Sequence, residues 1–102
     1  MDEIEGRMNR TAEIHAEQEA HALVYLAGGE RSGSEVRDDL AVWCGGKDGA
    51  SRARSRLICR GLVVETRKVG PDRFYRLTEK GAGAVDEARQ MLAQRRAERR
   101  AA

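Results

Sequence analysis

The sequence predicts one small domain that is mainly α with a single β-hairpin, an α+β chain, and three observations carry that prediction. Apolar residues recur at three-and-four spacing through most of the chain, paired glycines punctuate those periods, and one β-prone stretch folds about a Gly-Pro-Asp loop. The 102 residues suit one core and leave no room for two cores with a cleft between them. With 40% apolar residues, 35% charged residues and four aromatics, that core is thin and built from helices rather than from an aromatic-rich sandwich.

In chain order, residues 1–9 are polar and aperiodic and read as a flexible leader. Within it, Ile4-Glu5-Gly6-Arg7 spells a common engineered protease site directly before Met8. The first helix is predicted from an Asn9 or Thr11 cap to Ala27, with Ala16, Ala20, Leu23, Val24 and Ala27 on one face, and Gly28-Gly29 ends it. Ser34 is the N-cap candidate of a second helix of about ten residues, in which Val36, Leu40 and Trp43 share a face before Gly45-Gly46 stops it. A third helix opens near an Asp48 cap and closes at Gly61, covering 48–60.

At about 100° per residue, Ala50, Ala53 and Leu57 of that helix form a narrow apolar seam, while Ser51, Arg52, Ser55, Arg56 and Cys59 fill the opposite arc. Such an Arg/Ser face does not pack as core. Arg54, at the edge of the seam, reaches sideways. The β-prone runs Leu62–Val69 and Arg73–Thr78 flank Gly70-Pro71-Asp72 as a hairpin over 62–78. Thr78 or Glu79 then leads into a last helix over 80–99, with Val85, Ala88 and Leu92 in a thin apolar line. The folded domain is thus 10–94, and 95–102 is a basic tail that frays.

The net charge of +2 hides a strong polarity. Residues 1–46 hold four Arg against ten acids, a net of −6, whereas residues 47–76 hold nine cations against three acids, a net of +6. A basic block beside an acidic half suits a face that docks onto polyphosphate. The second and third helices, joined by a tight Gly-containing turn, match the helix-turn-helix motif, whose second helix enters the major groove of double-stranded DNA. Ala50 and Ala53 are small enough to hold that helix close to the core. Ser51, Arg52, Ser55 and Arg56 then present groups that meet guanine edges and phosphates. Lys47 and Arg54 flank them as backbone contacts, and Arg67, Lys68 and Arg73 on the hairpin lie along a phosphate backbone or enter a minor groove.

Arg56-Leu57-Ile58-Cys59-Arg60-Gly61-Leu62-Val63, the basic hairpin, and Tyr75-Arg76-Leu77-Thr78-Glu79-Lys80-Gly81 together resemble the winged-helix transcription regulators of the MarR, PadR and ArsR type. The resemblance covers about Leu23 to Leu92. It implies a winged helix-turn-helix acting as a sequence-specific repressor. It also implies a homodimer that sets two recognition helices in successive major grooves, with Ser51, Arg52, Ser55 and Arg56 reading bases and Arg67, Lys68 and Arg73 in the wing. The dimer interface it implies is built from the first and last helices, through Leu23, Val85, Ala88 and Leu92. The chain departs from the MarR pattern in its single C-terminal helix and its small apolar surface, which argue against a drug-sized ligand pocket.

No apolar run approaches the roughly 20 residues that span a bilayer, and the acidic N-terminus lacks a signal-peptide pattern. A cytoplasmic, nucleoid-associated protein is expected. Cys44 and Cys59 lack C-x-x-C spacing and read as reduced packing thiols. His15 and His21 lie six residues apart, off each other's helical face, so no metal site is predicted. Glu17 and His21, one turn apart, read as a surface pair. Gly45-Gly46-Lys47-Asp48-Gly49 lacks the spacing of a phosphate loop, and no nucleophile, base and orienting group converge, so neither an enzyme nor a cofactor is predicted. Two other readings share the same layout. One is a centromere-binding or architectural winged-helix adaptor of plasmid or phage DNA partition. The other is a docking module whose Glu35, Asp38 and Asp39 meet a protein partner.

Overall fold

Caps and glycines set the boundaries in the computed structural model, which describes residues 3–101. Helix α1 spans Glu3–Leu26, strand β1 Arg31–Ser32, and helices α2 and α3 Gly33–Cys44 and Lys47–Cys59. Strands β2 and β3 span Val63–Val69 and Asp72–Leu77, and helices α4 and α5 span Glu79–Gly83 and Val85–Ala101. The chain is mostly helical with one hairpin, as its class predicts.

Helix α1 begins at Glu3, not at Asn9 or Thr11, and occupies the segment read as a flexible leader. No proline interrupts it, and a lone Gly6 costs only about 1 kcal/mol against Ala, so the helix runs through both cap candidates. Ser32 rather than Ser34 caps α2. Glu35 N donates to Ser32 Oγ at 3.1 Å, and Ser32 N donates to Glu35 Oε1 at 3.0 Å. That reciprocal pair requires Glu three residues after the cap, which Ser34 lacks.

On α2, Val36, Leu40 and Cys44 face the core in four-residue steps. Trp43, predicted on this face, is 55% exposed. Its ring stacks on His21 of α1 with centroids 4.5 Å apart, while Glu17 bonds to Arg99 of α5 instead of pairing with His21 alone. Gly46, with φ 124°, precedes α3 and takes the cap position expected of Asp48, whose carboxylate lies in the first turn where the helix dipole favours it. Gly49 is required by close approach: a Cβ there would stand 1.8 Å from the Cys44 carbonyl oxygen. Helix α3 therefore crosses directly over the end of α2.

The hairpin pairs Val63 with Leu77 through Val69 with Asp72, with Thr66 bulged between Glu65 and Arg67. Strand β1, too short to carry a sequence period, adds a third strand by pairing Arg31 with Tyr75 and Ser32 with Phe74, giving the order β1-β3-β2. Thr78 caps α4 by accepting from Gly81 N at 3.0 Å and donates to the Gly61 carbonyl at 2.6 Å. The last helix is not continuous. It breaks at Ala84, because Gly81 and Gly83 weaken the first turn, and Gly81 is pressed against the Leu62 carbonyl.

The core joins Ala20, Ala22, Leu23 and Leu26 of α1 to Val36, Leu40, Ala50, Ala53, Leu57, Leu62, Val63, Tyr75 and Ala88. This corrects the expected dimer interface. Leu23, Val85 and Ala88 are 6%, 7% and 4% exposed within one chain, and Leu92 is half-buried against the same core, because α1 packs along α5. Cys44 is buried, and burial pushes its thiol pKa up; Cys59 is exposed, which corrects its packing role.

Candidate nucleic-acid interface

Helix α3 has one buried side and three others with different fates. Gly49, Ala50, Ala53 and Leu57 point inward, so the outward arc carries Asp48, Arg52, Ser55 and Cys59, with Ser51 half-buried at its edge. Arg52 is exposed and has no ion-pair partner among the described residues. Asp48 is the acid of this arc, 3.8 Å from Arg37 of α2.

The flank toward α1 holds Arg56. Its Nε donates to Glu19 Oε2 at 3.0 Å and its Nη2 to Gln18 Oε1 at 3.1 Å, leaving the side chain 28% exposed. Arg60, at the helix exit, bonds to the other Glu19 oxygen. Glu19 is thereby a buried carboxylate met by two guanidiniums, which is how a charge is tolerated in a core. Arg56, predicted as a base reader, is directed into this contact and away from the outward arc. Sequence reasoning missed Glu19 because an acid within an apolar stripe gives no periodic signal.

The flank toward the wing holds Arg54, whose guanidinium lies over the Tyr75 ring at 4.5 Å. Its Nε is buried with no hydrogen-bond partner. Lys47, at the start of α3, pairs with Asp38 at 3.1 Å.

On the wing, Arg67 lies over the Phe74 ring at 4.0 Å and pairs with Glu30 at 2.9 Å, while Thr66 Oγ1 donates to the same carboxylate at 2.6 Å. Bonds from Thr66 and then Arg67 hold the Glu30 carboxyl below the usual range. Arg73 pairs with Glu65 across the hairpin at 3.3 Å. Lys68 is exposed and makes no ion pair among the described residues. The predicted cations thus divide into two unpaired ones, Arg52 and Lys68, and others held by acids or rings. Among the described residues, no helix is long and apolar enough to cross a membrane.

No family model and no curated protein matches the sequence. Among solved structures, the chain is similar to ZitR of Lactococcus lactis, a double mutant in apo form. The TM-score is 0.60, with 17% identity over 97% of this chain and 74% of that one. It is also similar to NadR in complex with 4-hydroxyphenylacetate, with a TM-score of 0.57 and 20% identity over 94% of this chain and 76% of that one. Both are MarR-family winged-helix transcriptional regulators. Helices α2 and α3 form the helix-turn-helix and strands β2 and β3 the wing, so the chain has a winged helix-turn-helix fold similar to that of these two structures.

Proposed function

We propose that this chain binds double-stranded DNA sequence-specifically as a transcriptional repressor, with α3 in the major groove and the wing on the backbone or minor groove. The observation that carries this reading is the outward arc of α3. Arg52 stands free between Ser51 and Ser55, on a helix whose other arginines are held by Tyr75 or Glu19. A free guanidinium on a projecting helix suits bidentate bonding to guanine O6 and N7. The base-reading set is then Ser51, Arg52 and Ser55. Lys68, with Arg73 and Arg67, supplies the sequence-independent contact.

The likeness to two MarR-family regulators also supports a homodimer on a two-fold site, with half-sites about one helical turn apart. Because Leu23, Val85 and Ala88 are internal, its contacts fall to exposed residues of the long helices, such as Ile14 of α1 at 49% exposure. No cofactor and no catalysis enter this reading, and the nucleoid is where it acts.

Selection from random duplexes at two salt concentrations tests it. A recovered palindromic sequence whose affinity falls with salt supports the repressor. Cooperative spreading along repeats favours the partition adaptor. Absence of duplex binding at low salt sinks the reading and leaves the protein-docking module.

A further inference from the structure

A cleft of about 240 Å³ lies between the start of α2, one side of α3 and the tip of the wing. Three arginines line it, Arg37, Arg54 and Arg73, against Asp72 alone, and Ser34 and Ser51 add two hydroxyls that have no hydrogen-bond partner among the described residues. The three arginines come from three separate elements and converge on one space. That convergence is of a different kind from the outward arc of α3, which points to bulk solvent.

Arg54 is the built part of the cleft. Tyr75, only 5% exposed, supports its guanidinium from one side, Gly33 lies beside its Nη1, and its Nε is desolvated without an acceptor. A buried donor with no acceptor is unfavourable, so packing on Tyr75 and not a protein acceptor holds this guanidinium, and an oxyanion in the cleft is its first charged partner. Arg37 and Arg73 are only loosely engaged, at 3.8 Å from Asp48 and 3.3 Å from Glu65, with side chains 48% and 57% exposed. Such exposed pairs are weak, and both guanidiniums turn inward at little cost. Planar guanidiniums on several sides of a small polar space match a tetrahedral group with several oxygens.

We propose that this cleft is a phosphate site that takes one backbone phosphodiester of DNA, with Arg54 as its preset ligand and Arg37 and Arg73 closing on it from α2 and the wing. Bound there, the phosphate bridges the wing to the helix-turn-helix and fixes the tilt of α3 in the groove. The source of the phosphate rests on the DNA reading; the anion site itself rests on the cleft.

The test compares wild type with Arg54→Gln, Arg37→Gln and, as a charge-matched control on α5, Arg89→Gln. Arg37 is exposed, so its variant carries the test if Arg54→Gln folds poorly. In the first arm, thermal unfolding is followed in sodium phosphate and in sodium chloride of equal ionic strength. Phosphate should raise the midpoint of wild type and Arg89→Gln by about 4 °C at several times its Kd, and that of both cleft variants by much less. Comparison among variants cancels the general stabilising effect of phosphate salts. In the second arm, Arg54→Gln should lower the salt slope of duplex binding by about 1.

Equal phosphate protection in all four proteins, together with an unchanged slope, overturns the cleft while leaving any observed duplex binding intact. Protection lost in both cleft variants without duplex binding keeps the anion site, assigns it to a free phosphate ester, and removes the DNA reading.

Discussion

Arg52 and Arg56 lie four residues apart on one helix and meet different surroundings, because a 40° rotation about the axis separates open solvent from the Glu19 carboxylate. Arg52→Ala should weaken binding to a selected duplex by about 1–3 kcal/mol and leave stability within about 0.5 kcal/mol. Arg56→Ala should instead lower stability by about 1–3 kcal/mol, since a buried carboxylate loses a donor, with little change in sequence preference. Binding and thermal unfolding of the two variants, measured side by side, check the contrast. Equal losses of preference would return Arg56 to the base-reading set.

His21 gives a second prediction at this scale. Burial against Trp43 lowers its pKa from the ordinary 6.5, with Glu17 opposing and Arg99 and Arg96 assisting. The unfolded chain therefore binds this proton more readily than the folded one. The contribution is fully present above pH 6.5 and is lost as pH falls below that value toward the folded pKa. His21→Phe keeps an aromatic stack and removes the titration. Its midpoint should fall less than that of wild type between about pH 7 and about pH 5.5. Parallel losses in the two proteins would dismiss His21 as the cause. Tyr25 is shifted the other way: burial and its bond to Asp39 at 2.5 Å push the phenol pKa up, so it stays protonated across this window.

Among elements, the turn between α2 and α3 is the tightest constraint. Gly49→Ala places a Cβ 1.8 Å from a backbone oxygen that has no side-chain freedom with which to retreat. The helices must part, at a cost of about 3 kcal/mol or more. Gly83→Ala is the control, since a Cβ there meets nothing within 4 Å and should change stability by under about 1 kcal/mol. Similar midpoints for the two variants would mean that the crossing is looser than this. The existence of α2, α3 and the hairpin was legible because each has its own period and its own glycine stop. The Ser32-x-x-Glu35 capping box was equally legible, but Ser34 stood nearer the apolar run and drew the boundary. Strand β1 was not legible, since two residues acquire strand character only by pairing with β3.

At the scale of the molecule, the charge polarity written in the sequence survives folding only in part. Glu30 on the loop before β1 neutralises Arg67 on the wing, Glu65 engages Arg73, and Asp38 engages Lys47, so several of the cations are already countered. Lys68→Gln should therefore reduce the salt slope of non-specific duplex binding by about 1, and Arg67→Gln by clearly less. A larger effect at Arg67 would show that DNA displaces Glu30.

What the sequence alone determined is what local chemistry and periodicity encode: four helical stretches, a basic hairpin, a helix-turn-helix and a serine- and arginine-bearing arc on its second helix. Only the tertiary structure decided which arginines remain free. Residues 18 and 19 reach Arg56 across 38 and 37 positions of chain, and Tyr75 reaches Arg54 from the far strand of the wing. It likewise turned the expected interface of Leu23, Val85 and Ala88 into one chain's own core. A guanidinium's partner is set by which elements pack beside it, and spacing within a single element does not record that.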